Sequence, residues 1–226
     1  MKIWKGIAIG AAILAIGAGG AYAYYRAAVD EPEYALLSKD GDFELRRYAP
    51  MIVAEVTHTG ERRPALTAGF RRLAAYIFAE DRPGESIAMT SPVMQDQDEK
   101  IAMTAPVLQD QGAEIAMTAP VLQDGGDASR SWRTRFVMPA QYTMETLPIP
   151  PEDITLTELP ERRIAAVRFS GNGTNEDLAE NEARLRDWIG QQGLEITGPA
   201  EFAYYDAPSV PSPLRRNEVM YPVVTR

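Results

Sequence analysis

The sequence predicts an α+β domain built from two similar halves, each with one helix packed on antiparallel strands. Short segments with alternating apolar residues, typical of strands, recur through the chain, and two segments have helical periodicity. The chain also contains a repeated block at residues 87–128, which is described below. When this block is counted as one strand, the order strand–strand–helix–strand–strand occurs twice. This order favours a pseudo-twofold barrel or sandwich with one flanking helix in each half.

The first half begins with alternating strands at residues 43–48 and 51–56, interrupted by Pro50. A helix is predicted over residues 64–79, with Pro64 suited to its first turn. One stripe of this helix, about 100° wide, is apolar. The residues on that stripe are Leu66, Phe70, Leu73, Ala74 and Ile77. We therefore expect this helix to pack on a sheet.

The second half repeats the pattern, after a strand at residues 132–138 that completes the first. Two strands are predicted at residues 154–158 and 164–169, joined by a turn around Pro160. A helix follows from Thr174 to Gln191, and Asp177 three residues after Thr174 resembles a capping box. The remaining predicted strands are residues 200–205 and 218–224.

A phrase of fourteen residues occurs three times in residues 87–128, starting at Ile87, Ile101 and Ile115. Each copy has a strand-like apolar stretch with a proline, followed by a polar turn. The period is too short for the common helical repeats. We interpret the block as one strand of the domain with two extra copies, which form added hairpins or a mobile loop.

Composition excludes several classes of function. The net charge of −9 disfavours nucleic acid as a partner, because phosphate neutralisation supplies most non-specific affinity for DNA and RNA. The chain has no cysteine, which excludes thiolate metal sites, disulfides, covalent haem attachment and an acylated lipoprotein anchor. Motifs of nucleophilic, zinc-dependent and phosphate-binding enzymes are also missing, so we expect no catalysis.

The N-terminal segment, residues 1–26, predicts export. Residues 6–25 carry no charge, and twenty helical residues span about 30 Å, the thickness of a bilayer core. Lys2 and Lys5 before this run place the N-terminus in the cytoplasm and the domain on the periplasmic side. Two interpretations remain open: an uncleaved membrane anchor, or a signal peptide cut after the A-x-A sequence at residues 21–23.

Several motifs resemble the SOUL/haem-binding protein family, in order from about Tyr34 to Val224. The motifs are FELRRY at 43–48, GFRRLAAYI at 69–77, IAMTAPV in the repeats, FVMP at 136–139, VRFSG at 167–171, AYYDAP at 203–208 and RRNEV at 215–219. The resemblance implies a distorted antiparallel β-barrel of two related halves over residues 33–226, flanked by two helices. It also implies non-covalent binding of haem or another tetrapyrrole. The chain departs from the family in its triplicated strand and its apolar N-terminal segment.

One flank of the first helix is the candidate ligand site. A planar amphiphile such as haem needs an apolar wall with a cation near its carboxylates. Phe70 and Ala74 would supply the wall, and Arg71 would pair with a propionate, with Arg62 or Arg63 as alternatives. The flank consists of Thr67, Arg71, Ala74 and Phe78, and it lies beside Phe70 on the apolar stripe. The competing interpretation is an ordinary helix edge whose arginines face solvent.

Three further candidates have weaker support. His58 is the one histidine and a candidate axial ligand of haem iron, or a solvated turn residue. Methionines recur at the same place in each repeat, and we expect one buried core residue and two copies. Glu218 in the RRNEV motif is expected in an ion pair that holds the last strand, rather than in acid–base chemistry.

The sequence therefore predicts an exported, membrane-anchored haem- or tetrapyrrole-binding protein without catalytic activity. Residues 6–25 would contact the membrane. Two alternatives are an envelope protein-interaction module that binds a partner through the repeat block, and a binding domain for a small hydrophobic ligand other than haem.

Overall fold

The computed structural model describes residues 31–97 and 131–225. The predicted N-terminal segment and the second and third repeat copies lie outside these residues. The strands are β1 (Tyr34–Asp40), β2 (Phe43–Tyr48), β3 (Met51–Thr59), β4 (Val93–Gln97), β5 (Ser131–Val137), β6 (Thr155–Leu159), β7 (Arg162–Ser170), β8 (Leu194–Ile196), β9 (Glu201–Tyr204) and β10 (Arg216–Thr225). The helices are α1 (Arg62–Ile77), α2 (Asn175–Gln191) and a short 3-10 helix at Ser212–Leu214.

The strands form one antiparallel sheet whose order confirms the predicted pseudo-symmetry. The order is β1-β2-β7-β10-β9-β4-β5-β3-β6, and β8 pairs with β10. Reversing this order about the point between β9 and β4 exchanges β2 with β6, β3 with β7, β10 with β5 and β9 with β4. The same exchange relates α1 to α2, since each helix follows the equivalent strand. Each half is thus strand–strand–helix–strand–strand, with β1 and β8 added.

Short links between distant strands curl the sheet into a half-barrel. Five strands separate β2 from β3 in the sheet, yet only residues 49–50 connect them. Residues 160–161 connect β6 to β7 in the same way. These two strands do not pair with each other, and each has a partner in the other half: β6 pairs with β3, and β7 pairs with β2. The predicted barrel is not closed, because among the described residues β1 pairs only with β2, and β6 only with β3.

The two faces of the sheet pack differently. On β10, Val219, Tyr221 and Val223 pack under α2, as the strand period of two requires. Met220 points to the opposite face, where it packs with Tyr48 of β2. Because this second cluster joins strands from across the sheet, it fills the inside of the curl.

Helix α1 buries a face that is rotated from the predicted stripe. Leu73 and Ile77 are buried as expected, but Phe70 is 37% exposed. Gly69 lies on the buried face instead, and a Cβ there would approach Thr134 Oγ1 on β5 to 2.4 Å. The missing side chain lets the helix backbone pack directly on the sheet, which turns Phe70 outward. This part of the stripe prediction was wrong.

Other local predictions are confirmed. Helix α2 begins with a reciprocal capping box, in which the Thr174 side chain accepts from Asp177 N and the Asp177 carboxylate accepts from Thr174 N. The first repeat copy supplies β4, which pairs with β5 and β9. The division within the copy was wrong, because the strand is Val93–Gln97, which runs into the polar segment that was expected to form the turn, and not the apolar stretch before Pro92. One copy therefore fills the sheet position. No helix within the described ranges is long and apolar enough to cross a membrane.

Candidate functional site

Five ligand-binding residues were predicted on the first helix: Thr67, Phe70 and Arg71 are exposed on α1, Phe78 is exposed at its C-cap, and Ala74 is half-buried. Phe70, Ala74 and Phe78 follow one another at intervals of four residues, so they line up along the helix over about 12 Å. Phe70 is 37% exposed and Phe78 is 48% exposed. The two partly exposed rings lie about two turns apart with Ala74 between them, and together they form an apolar strip on this side of the helix.

The strip has an apolar backing from the sheet and from the first repeat copy. The Phe70 ring meets Phe136 of β5 edge to face, with 5.4 Å between centroids. Val93 of β4 is the Cα partner of Phe136 and is half-buried on the same side of the sheet. Met89, also half-buried, packs on the same core cluster. The wall beside the helix is therefore wider than the sequence alone suggested.

The polar residues of the flank differ in availability. Arg71 is exposed and makes no hydrogen bond or ion pair within the described ranges, so its guanidinium can meet an anion. The Thr67 hydroxyl donates to the carbonyl of Arg63, 3.0 Å away. Arg63 itself donates to the Asn172 carbonyl at 2.8 Å. Arg71 is thus the best-placed of the predicted propionate partners.

Arg62 is unsuited to pairing with a haem propionate, so this sequence-based alternative to Arg71 was wrong. It is 5% exposed, and its guanidinium donates to Asn175 Oδ1 at 2.7 Å and to the Gly173 carbonyl at 3.0 Å. It also donates to the Tyr204 hydroxyl. Burial raises the pKa of Tyr204 to about 12, so the phenol stays neutral beside the cation. These bonds tie the start of α1 to α2 and β9.

His58 lies across α1 from the flank. It is on β3, and its Nδ1 atom is buried with no hydrogen-bond partner within the described ranges. Arg72 donates two hydrogen bonds to Asp153 and lowers the pKa of that carboxyl, and His58 is close enough to lower it further. Arg72 points about 160° away from Phe70 around the helix, so Asp153 and the nearby His58 lie on the side of α1 opposite the strip. The structure therefore does not bring His58 and the strip together. Axial ligation by His58 is untested, and the site proposed below does not include it.

Two cavities occur elsewhere, and none of the six predicted site residues lines either. The first, about 540 Å³, lies between the start of α1 and the first turns of α2, over Trp132 and Phe202. Its charges are balanced, with Glu61 and Glu182 against two arginines. The second, about 660 Å³, lies where β2 passes into β3 and where β5 ends.

Glu218 forms the buried ion pair that the sequence predicted. Arg46 donates two hydrogen bonds to its carboxylate at 2.6 and 2.9 Å, and Arg216 donates two at 2.9 and 2.7 Å. The Tyr205 hydroxyl adds a fifth at 2.9 Å. Burial alone would raise the pKa of Glu218, but the two arginines outweigh it and hold the pKa below its ordinary value. A carboxylate so enclosed stabilises the sheet and has no room for a substrate.

A second buried charge network lies on the same inner face and was not expected. Asp96 of β4 accepts from Arg135 at 2.7 Å, and Glu201 of β9 accepts from Arg162 at 2.5 Å. Burial would raise the pKa of Glu201, but the nearby arginines lower it overall. Within the described ranges, no group of three or more potential ligands could hold a metal ion.

The amino-acid sequence matches a known protein family over most of its length. The model described as SOUL heme-binding protein matches residues 29–222, which is most of the chain. No curated protein matches the chain. The match agrees with the order of the motifs noted in the sequence.

Solved structures share the fold at low sequence identity. The crystal structure of the EcmrR C-terminal domain superposes with a TM-score of 0.54 at 13% identity, covering 85% of this chain and 99% of that one. A hydrolase from Listeria innocua superposes with a TM-score of 0.51 at 10% identity, covering 83% and 94%. A cryo-EM structure of an EcmrR–DNA complex gives 0.53 at 13% identity, covering 100% and 69%. These likenesses show the fold alone.

Proposed function

Because the chain belongs to the SOUL haem-binding protein family, we propose that it binds haem or a related tetrapyrrole non-covalently and sequesters or carries it without reacting it. The proposed site is the strip of Phe70, Ala74 and Phe78 with Arg71 beside it. The macrocycle would lie against the aromatic rings, and Arg71 would pair with a propionate.

The observation that supports this site most is the exposure of two phenylalanines on one helix flank beside an uncommitted guanidinium. Contiguous exposed apolar surface on a soluble protein often marks a binding site. Phe136 contacts one of these rings from the sheet, so a bound planar ligand would extend an existing aromatic cluster. Binding without catalysis is also supported by Glu218, because its carboxylate is fully committed to hydrogen bonds with Arg46, Arg216 and Tyr205.

Haemin titration of the full-length protein in detergent tests the proposal, with the Soret band as the signal. We expect saturable binding with one haemin per chain. Arg71→Glu should weaken it at least tenfold, because hydrogen bonds to charged groups contribute about 1.5–3 kcal/mol and 1.4 kcal/mol is tenfold. Arg47→Glu is the matched control, because it reverses the charge of a different exposed arginine, which lies on β2.

Two results would contradict the proposal. An unchanged Soret band with wild-type protein would mean that haemin is not a ligand. An equal loss in both arginine variants would mean that overall charge, and not the α1 strip, governs binding.

We also propose export of the domain, with residues 6–25 as a membrane anchor. The uncharged run after Lys2 and Lys5 supports this arrangement. Cell fractionation with alkaline extraction separates the cases: an anchored protein stays in the membrane pellet, and a cleaved one appears in the periplasm with a shorter mass. Recovery of the intact chain in the cytoplasm would contradict export.

A further inference from the structure

The second cavity has a lining that is acidic at its rim and apolar within. Its volume of about 660 Å³ is in the range of small-molecule sites. The carboxylates come from three separate parts of the chain: the segment before β1, strand β6 and the loop after β5. They belong to Glu31, Glu33, Glu145 and Glu158.

Among the residues that the structure describes, no lysine, arginine or histidine lines this cavity. Glu31 is committed to Arg216, at 3.0 Å. The other three glutamates are exposed and form no ion pair within the described residues. The cavity therefore has an uncompensated negative charge, on a chain whose net charge is already −9. Haem, with two carboxylates, would be repelled here.

The inner lining suits an apolar or aromatic body. Met51, Met138 and Met144 line it together with Ile52 and Tyr142. Methionine side chains adapt to ligands of different shape, and a tyrosine ring can lie against a cation. Met144 is 41% exposed at the mouth, so part of this surface is already open to solvent.

We propose that this cavity binds an organic cation with an apolar body, at a site separate from the α1 strip. The positive group would lie among Glu33, Glu145 and Glu158, and the apolar body would contact the methionines and Tyr142. Complementary charge sets the sign of the ligand, and the apolar lining excludes a bare metal ion as the preferred occupant.

Two dyes of nearly the same shape test the charge requirement. Rhodamine 6G is a cationic ester, and rhodamine B is the related free acid, a zwitterion at neutral pH. Fluorescence polarisation with the full-length protein in detergent, blanked with empty micelles, should show saturable binding of rhodamine 6G. Rhodamine B should bind at least tenfold more weakly.

Variants then locate the site. The triple variant Glu33→Gln, Glu145→Gln and Glu158→Gln should weaken rhodamine 6G binding about tenfold. Met144→Lys should weaken it by a similar factor, because it places a positive charge at the entrance of the cavity. The control triple changes three exposed glutamates that line neither cavity and should alter binding less than twofold. These control changes are Glu152→Gln, Glu180→Gln and Glu195→Gln.

Three results would overturn this inference: no saturable binding of rhodamine 6G, equal affinity for the two dyes, or equal losses in the two triple variants. Haemin binding reports folding of the variants, since the cavity triple should keep its Soret shift. Haemin should not displace rhodamine 6G. Cation binding without haemin binding would contradict the proposed function while leaving this site intact.

Discussion

Glu218 lies between two buried arginines, so replacing it with glutamine is a direct test of what holds the inner face of the sheet together. The change preserves volume but removes the negative charge. Arg46 is 1% exposed and Arg216 is 8% exposed, so both guanidiniums would stay buried and lose their most buried counter-ion, keeping only the partly exposed carboxylates of Glu44 and Glu31. Breaking a buried ion pair on one side costs about 3–5 kcal/mol. We expect a loss of that size in the free energy of unfolding of Glu218→Gln.

Urea unfolding followed by tryptophan fluorescence measures this loss. With an m value of about 2–3 kcal/mol/M, the midpoint should fall by about 1–2 M. Glu182→Gln is the matched control, because Glu182 also accepts from an arginine and a tyrosine but at the surface of α2. Surface pairs contribute about 0–1 kcal/mol, so its midpoint should move little. Equal shifts in the two variants would refute the argument.

The same network makes a prediction about pH. Since the pKa of folded Glu218 lies below its unfolded value of about 4.3, its contribution to stability is present above that pH. It is lost as the pH falls through the folded pKa. The stability gap between wild type and Glu218→Gln should therefore be constant from pH 7 to about 5 and narrow below about 4. A gap that widens in acid would contradict the assigned direction.

Three other predictions concern α1 and the repeat block. Gly69→Ala should destabilise the protein by about 1–3 kcal/mol in urea unfolding, because the added Cβ would overlap Thr134. The control is Gly190→Ala on α2, where an added Cβ meets nothing within 4 Å, so this change should be neutral or stabilising. His58→Ala should leave the Soret band of the haemin complex unchanged, since His58 lies across α1 from the strip; loss of the band would place the ligand elsewhere. Deletion of the second repeat copy, Ile101–Glu114, should leave the midpoint of thermal unfolding and the haemin affinity unchanged, because the first copy already supplies β4. A fall in either quantity would show that the second copy belongs to the domain.

Most of the sheet could be predicted because its strands bury one or both faces and therefore alternate. Strand β1 could not, since all seven of its residues are exposed and its composition shows no alternation. The half-barrel could not be distinguished from a closed barrel or sandwich, because the pairing of β2 with β7 and of β3 with β6 depends on links that cross between halves. Local periodicity contains no information about such partners.

The candidate site was predicted in part. The flank residues lie together because helical spacing dictates it, but the exposure of Phe70 depends on Gly69, whose role in close packing leaves no hydrophobic signal. The partner of Glu218 on β2, Arg46, lies 172 positions away, and no spacing rule connects them. The FELRRY motif that contains Arg46 was visible, but its ion pair with Glu218 became clear only from the fold.

The central claim is that haem lies against the aromatic strip of α1, and haemin affinity of Phe78→Glu tests it most directly. Phe78 is 48% exposed, so a glutamate is tolerated there, but it would place a carboxylate against the macrocycle. The control is Ile149→Glu, at an apolar side chain that is 89% exposed and lies outside the strip. We predict at least tenfold weaker haemin binding for Phe78→Glu and unchanged binding for Ile149→Glu. Equal affinities for the two variants would contradict the account.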